Sequence, residues 1–318
     1  WKRPNGLHIQ RISMPLGVIA VIYESRPNVT ADVSILCFKS GIAAILRGGK
    51  EAFNTNIILS NLFRKSLNLN KVNPDCIQLI NNTDRVLVDY LLAKMSEYID
   101  VIIPRGGKGL VKKVLDLSTV PTIGHLEGLF HNYLDKEYSF NLANKIIINS
   151  KLRRTSICGA AETLLINDKI KRNDIYTLLD NLHKAGCKII ADKKIRKIFN
   201  NSKLANAKDW KTEYLDSKIS VKSVKNIDEA ISHIKTFGTN HTECIISTNK
   251  SNIDKFIKEV PSSIVMNNAS TQFADGYEFG LGSEVGISTI KLHPRGPVVL
   301  EQLTKYKLVV KGTGQIRN

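Results

Sequence analysis

Nothing in the 318-residue sequence approaches the roughly 18 consecutive apolar residues of a transmembrane helix; the longest apolar run, Leu16 to Tyr23, has the length of a strand. No basic segment followed by an apolar one opens the chain, so no secretory leader is expected. Cysteine is sparse. Five residues, Cys37, Cys76, Cys158, Cys187 and Cys244, make an odd number with no C-x-x-C and no Cys/His ligand spacing. That disfavours a disulfide framework and a structural zinc site, no metal is expected, and the thiols read as reduced and cytoplasmic. Acidic residues are few: 29 against 46 Lys and Arg, for a net charge of +17. Such a balance invites a nucleic-acid partner. The lysines, however, are scattered among Asn and Ile (Lys50, Lys71, Lys94, Lys136, Lys145), and aromatics, at 7%, do not interleave with a basic stripe. They read as solvated surface lysines whose positive field can draw in an anionic substrate. Hydrophobic residues at 42% exclude a disordered chain, and the length allows two domains.

What is present is an alternation. Leu16 to Tyr23 is apolar on both faces and rich in branched side chains, as a buried parallel strand requires. A helix is predicted from Asn28 to Lys39, with Asn28 or Thr30 as its N-cap. Strands follow at Ala43 to Arg47, Ile77 to Ile80 and Ile99 to Ile103, separated by helices at Glu51 to Lys65 and Arg85 to Met95. The second half repeats the rhythm. Helices are predicted at 139–149, 174–185, 228–236 and 253–259, and strands at 163–166, 187–190, 219–224, 244–247 and 263–266, with an irregular stretch at 200–218. Lys305 to Val310 alternates like an edge strand. Short connections between strands and helices imply an α/β fold with parallel sheets.

Two strands end in glycine turns that carry cations: Arg47-Gly48-Gly49-Lys50 and Arg105-Gly106-Gly107-Lys108. In open α/β sheets ligands bind beyond the carboxyl ends of the strands, where glycine admits a phosphate to the backbone amides. Any strand-to-helix turn favours glycine, and neither turn is a G-x-G-x-x-G or a P-loop. Two of them, each with a cation, point to a phosphate-bearing ligand. Cys158 falls on a loop between a helix and a strand, with Lys151, Arg153 and Arg154 nearby in sequence and Gly159 beside it. Positive neighbours favour the thiolate, which is the nucleophile. The other four cysteines read as core fillers. Met266 to Thr271 is dense in small polar side chains and reads as a pocket wall, or equally as a surface loop. His125 and His131 flank Leu126 to Phe130 and read as structural histidines, although either could serve as a base.

Taken in order, these segments resemble the γ-glutamyl phosphate reductase (glutamate-5-semialdehyde dehydrogenase) family, a branch of the aldehyde dehydrogenase superfamily. The resemblance rests on Pro15 to Thr30, Leu46 to Gly49, Ile103 to Gly107, Cys158 with Ala161 to Leu165, Asn268 to Thr271, Phe279 to Gly282, and Lys291 to His293 with Arg295 to Pro297. It implies a parallel-sheet NADP-binding domain over 17–124, an α/β catalytic domain over 125–302, and a small β oligomerisation element from 1–16 and 303–318. It also implies that the family's usual start lies about a hundred residues, one small domain, upstream of Trp1. The chain would then be N-terminally truncated.

The implied reaction is NADPH-dependent reduction of L-glutamate 5-phosphate to L-glutamate 5-semialdehyde with release of phosphate, the second step of proline biosynthesis. Cys158 would form a thioester, and Asn28 would help to stabilise the oxyanion. Arg47, Gly48, Gly49, Lys50, Arg105, Gly106, Gly107 and Glu213 would hold the cofactor. Asn268, Ser270, Thr271, Lys291 and Arg295 would hold the substrate. Aldehyde-oxidising relatives carry a glutamate that activates water; here that position falls near Gly124, with Glu127 three residues on. Gln272 stands where family members often have arginine, which shifts the carboxylate contact towards Lys291 or Arg295. A homo-oligomer and functional coupling to a glutamate 5-kinase are implied, with no nucleic-acid and no membrane partner. Three readings compete: the reductase half of a bifunctional pyrroline-5-carboxylate synthase, a basic nucleic-acid-binding module, and a catalytically dead paralogue.

Overall fold

The computed structural model describes residues 1–317, which form two compact units. The first comprises Trp1–Gly124, Leu281–Gly286 and 297–317, the second His125–Gly280 and Ile287–Gly296.

The first unit begins with strand β1 (His8–Pro15), followed by β2 (Val18–Tyr23), α1 (Asn28–Lys39), β3 (Ala43–Arg47), α2 (Phe53–Leu69), β4 (Ile77–Leu79), α3 (Val86–Lys94), β5 (Val101–Arg105) and α4 (Lys108–Leu117). β2 to β5 form a parallel sheet in the order β4-β3-β2-β5. β2 pairs with β3 on one side and with β5 on the other, so the direction of winding reverses beside β2. The carboxyl ends of β2 and β5 therefore flank the crevice in which such sheets take their ligands. Ala20, Ile22, Leu92, Ile102 and Val114 build the core on one face of this sheet. The central strands are apolar throughout because helices cover both of their faces.

β1 pairs antiparallel with the C-terminal strand Thr304–Lys311 over eight residues, from His8 opposite Lys311 to Pro15 opposite Thr304. This ribbon is mostly exposed and carries Ile12, Tyr306, Leu308 and Val310 on its surface.

The second unit contains β6 (Phe130–Leu134), α5 (Phe140–Leu152), β7 (Ala161–Asn167), α6 (Arg172–Lys184), β8 (Lys188–Ala191), α7 (Lys193–Arg196), β9 (Lys203–Leu204), β10 (Lys218–Val224), α8 (Ile227–Phe237), β11 (Thr242–Ile246), α9 (Lys250–Glu259) and β12 (Ile264–Asn267). Its seven strands are all parallel, in the order β12-β11-β6-β7-β10-β8-β9. Phe130, Leu164, Leu179, Ile219 and Cys244 belong to its main core.

Two local expectations are corrected. Neither Asn28 nor Thr30 caps α1: Pro27 occupies the N-cap without a side-chain bond. Thr30 is buried instead, where its hydroxyl donates to Asn56 Oδ1 at 3.0 Å and shares a hydrogen bond with the Tyr23 hydroxyl. The second correction is β6, a central strand that the sequence pattern leaves unassigned. Its polar side chains His131 and Asn132 are fully buried, and the Glu243 carboxylate of neighbouring β11 accepts from both the backbone and Nδ1 of His131, at 2.8 and 2.9 Å. His131 Nε2 and both polar atoms of the Asn132 side chain are buried without a hydrogen-bond partner, so the Glu243 carboxylate compensates the burial of this strand's polar groups only in part. Among the described residues, no helix is long and apolar enough to cross a membrane.

Candidate active site

Cys158 lies on the turn between α5 and β7, with a half-buried side chain. The turn is closed by the Ala160 amide donating to the Ile157 carbonyl at 3.1 Å. It is held from behind by the segment after β12. Thr271 Oγ1 donates to the Gly159 carbonyl at 2.9 Å, and the Thr271 amide donates to Ser150 Oγ at 3.2 Å. Gln272 Nε2 donates to the carbonyls of Ser150 (3.0 Å) and Arg154 (3.2 Å). Ser270 Oγ lies 3.3 Å from Ser150 Oγ. Ser270, Thr271 and Gln272 are all buried. Asn268 takes up positive φ (50°) and pairs with Ser247, accepting from its amide and donating to its carbonyl.

Asn268, among the expected substrate residues, bonds to Ser247, whereas Ser270 and Thr271 brace the segment from Ser150 to Gly159 that carries the cysteine turn. Gln272 does so too, which gives the glutamine a structural use in place of an arginine. Of the remaining expected substrate residues, Lys291 is exposed, and exposed Arg295 donates to the Pro261 carbonyl at 2.7 Å. Arg153 and Arg154 are exposed as well.

The front of the cysteine is lined by residues remote in sequence. Cys158 Sγ and one ring nitrogen each of His125 and His241 lie within 4.8 Å of one another. The two imidazoles meet edge-on, with centroids 4.7 Å apart. His125 donates from Nδ1 to the Ile287 carbonyl at 2.7 Å. His241 is fully buried; burial first, and the neighbouring His125 second, hold it well below the ordinary imidazole range, so it is neutral. Gly128 completes the wall. A Cβ there would stand 3.0 Å from Cys158 Cβ and 3.2 Å from Glu213 Oε1, and the Gly128 amide donates to that same carboxylate oxygen at 3.0 Å. Glu213, expected at the cofactor, therefore sits beside the cysteine turn. The preceding Glu127 is half-buried in the loop before β6.

The other cysteines differ in environment. Burial pushes the thiols of Cys37, Cys187 and Cys244 up to about 12, which suppresses their thiolates. Cys76 ends a short helical turn before β4.

A buried ion pair links α5 to β7, the two elements that the cysteine turn connects. Lys151, in the last turn of α5, donates to Glu162 Oε2 at 2.7 Å, and both side chains are excluded from solvent. Glu162 Oε1 also accepts from the Leu215 amide, two residues beyond Glu213. Burial pushes the Glu162 carboxyl up to about 7 against the opposing pull of the Lys151 ammonium.

In the first unit the two glycine turns flank the carboxyl end of β2. Arg47 is buried, and its guanidinium donates to the carbonyls of Gly48 (3.0 Å), Thr83 (2.7 Å) and Asp84 (3.3 Å). It thus braces its turn. Lys50 is exposed at the start of the next helical turn. Gly107 is the N-cap of α4, and its amide donates to Glu24 Oε2 at 2.7 Å. A Cβ on Gly106 would stand 2.5 Å from that oxygen, so the turn tolerates only glycine while Glu24 is seated there. A carboxylate thus already lies where a helix N-terminus attracts anions. Asn28, the expected oxyanion donor, opens α1, where its exposed carboxamide donates to Asp32 at 3.1 Å.

No protein-family model matches the chain. Among curated proteins, the gamma-glutamyl phosphate reductase of Mesorhizobium japonicum is 49% identical over 317 residues, which cover 100% of this chain and 74% of that protein. The protein of the same name from Rhodospirillum rubrum is 48% identical, with the same coverage. Among solved structures, gamma-glutamyl phosphate reductase from Thermotoga maritima superposes with a TM-score of 0.97 at 43% identity, covering 100% of this chain and 77% of that one. An acetylating aldehyde dehydrogenase from Geobacillus thermoglucosidasius superposes with a TM-score of 0.72 at 18% identity, over 98% of this chain and 78% of that one, a likeness of fold alone.

Proposed function

As the chain belongs to the γ-glutamyl phosphate reductase family and has an aldehyde dehydrogenase-like fold, we propose that it reduces L-glutamate 5-phosphate to L-glutamate 5-semialdehyde with NADPH, through a thioester on Cys158. This is the second step of proline biosynthesis from glutamate, and it takes the place of the nucleic-acid-binding alternative. The observation that carries the mechanism is the placement of Cys158: a half-buried thiol on a braced turn, while three of the other cysteines are sealed in the core.

The Cys158 thiolate attacks the acyl carbon of the substrate, and the carbon–oxygen bond to phosphate breaks. An oxyanion develops on the acyl oxygen of the tetrahedral species and needs hydrogen-bond donors beside the nucleophile. Bound NADPH supplies the hydride that converts the thioester carbonyl to the aldehyde level. The carbon–sulfur bond then breaks and returns the thiolate. Glu213, bonded to the Gly128 amide, orients the loop that faces the cysteine.

The first unit fits a dinucleotide in two respects: its glycine turns stand at the winding reversal of the sheet, and Lys50 offers an exposed ammonium to a 2′-phosphate. Glu24 would yield the Gly107 amide to an incoming phosphate. An acyl phosphate is made by a carboxylate kinase, so a glutamate 5-kinase supplies the substrate. The exposed ribbon of β1 and the C-terminal strand supports a homo-oligomer, because two strands with uncovered apolar side chains are marginal on their own.

The test runs the reaction backwards in the full-length protein, with pyrroline-5-carboxylate, NADP and varied phosphate, beside Cys158→Ser. Phosphate-dependent NADPH formation that vanishes in the variant is expected. NADPH formation without phosphate would mean that water resolves the thioester and would move attention to Glu127. No activity in a folded full-length protein would sink the reading and favour a dead paralogue.

A further inference from the structure

We propose that Cys158, His125 and His241 form a three-ligand site for a divalent transition metal of the zinc type, and that occupancy of this site reversibly blocks the cysteine. The three donor atoms converge within 4.8 Å from three separate parts of the second unit: the loop before β6, the turn before β7 and the residue before β11. Tetrahedral zinc with one sulfur and two nitrogen ligands needs donor separations of about 3.3–3.6 Å. Side-chain rotations that close the triangle by about an ångström suffice.

The tautomers suit the task. An imidazole nitrogen that faces a carbonyl oxygen must carry the proton, so the bond from His125 Nδ1 to Ile287 places the ligand lone pair on Nε2. His241 Nδ1 is engaged with Thr242 Oγ1 at 2.9 Å, and its Nε2 is buried without a hydrogen-bond partner. A buried polar atom left unpaired calls for an explanation, and a metal ligand role supplies one. Both rings thus have the outer hydrogen bond that orients a metal-binding histidine. One thiolate and two neutral imidazoles suit zinc and its congeners, and three protein ligands leave a fourth position to water.

On binding, the metal–sulfur bond forms and the thiol proton leaves to solvent; nothing is oxidised or reduced. The binding half of the proposal is independent of catalysis. The inhibitory half rests on the reading of Cys158 as the nucleophile.

The experiment titrates the full-length protein with Zn²⁺ alone against a chromophoric chelator, and with Co²⁺ while recording thiolate-to-metal charge-transfer absorption. One equivalent is expected to bind, with the charge-transfer band present in the wild type and absent in Cys158→Ser. His125→Ala, at a half-buried position, is expected to weaken Zn²⁺ binding by about tenfold or more, and it keeps the test decisive if His241→Ala does not fold. Activity should fall with Zn²⁺ and return with EDTA. Absence of Zn²⁺ binding, unchanged affinity in Cys158→Ser, or bound Co²⁺ without a thiolate band would overturn the site. Phosphate-dependent activity that needs Cys158, in a protein that binds no Zn²⁺, would leave the reductase reading intact and remove only the metal. Zn²⁺ binding that needs Cys158, in a protein whose activity survives Cys158→Ser, would do the reverse.

Discussion

The Lys151–Glu162 pair offers a perturbation whose size depends on pH. Both side chains are shut off from solvent, and Nζ lies 2.7 Å from Oε2. In Lys151→Met the Glu162 carboxyl keeps its place in the core without its counter-charge. Removing one partner of a buried pair costs about 3–5 kcal/mol, chiefly because the other charge is left uncompensated. Glu162 can escape that cost by taking up a proton. Its carboxyl already stands at about 7 in the folded protein, against 4.5 for the unperturbed group, and loss of the ammonium moves it further up.

The sign follows from linkage. A carboxyl whose folded value exceeds its unfolded value binds its proton more tightly when folded. The stability this contributes is fully present below about 4.5 and is lost as pH rises through about 7. The wild type should therefore lose stability between those limits, and Glu162→Gln should flatten that slope. Lys151→Met should show its full loss of about 3–5 kcal/mol near pH 8 and a clearly smaller one near pH 5. Urea unfolding of the full-length protein at both pH values measures this. A loss in Lys151→Met below about 1 kcal/mol at pH 8, or one equal at the two pH values, would refute the account.

Three further outcomes are expected. Thr271→Val removes the hydroxyl that holds the Gly159 carbonyl, and should destabilise the protein by about 1–3 kcal/mol while lowering kcat through the loosened cysteine turn; steady-state kinetics and thermal unfolding separate the two effects. Native alkylation read by peptide mass mapping should modify Cys158 and spare Cys37, Cys187 and Cys244, whose thiolates burial suppresses. Lys50→Ala should raise KM for NADPH while leaving KM for NADH nearly unchanged, since only the former carries the 2′-phosphate; equal effects on both would remove Lys50 from that role.

Much of the fold was legible because period and punctuation agreed. β2, β3 and α1 were readable nearly to the residue, since unbroken apolar runs bounded by glycine and proline leave little choice between strand and helix. β6 was not. Phe130-His131-Asn132-Tyr133-Leu134 mixes polar with apolar residues, and the Glu243 carboxylate that accepts from the buried His131 lies on β11, more than a hundred positions away. The same holds at the candidate site. Cys158, its loop and its glycine stood out locally. His125 and Glu213 drew notice without any link to Cys158, and His241 drew none, because spacings of 33 and 83 residues from the cysteine match no ligand or catalytic pattern.

The sequence by itself determined the alternation of strands and helices and the two glycine turns, and it set Cys158 apart from the other cysteines by its cationic neighbours and adjacent glycine. These follow from local propensity and from side chains adjacent in the chain. Tertiary structure decided what the polar side chains do. It gave Arg47, Ser270, Thr271 and Gln272 hydrogen bonds that brace their own turns, seated Glu24 on the α4 N-terminus, and gathered two histidines around Cys158. The physical reason is that a hydrogen bond or a ligand set needs donors and acceptors a few ångströms apart. Parallel sheets bring such partners together from strands far apart in the sequence, at distances no local pattern encodes.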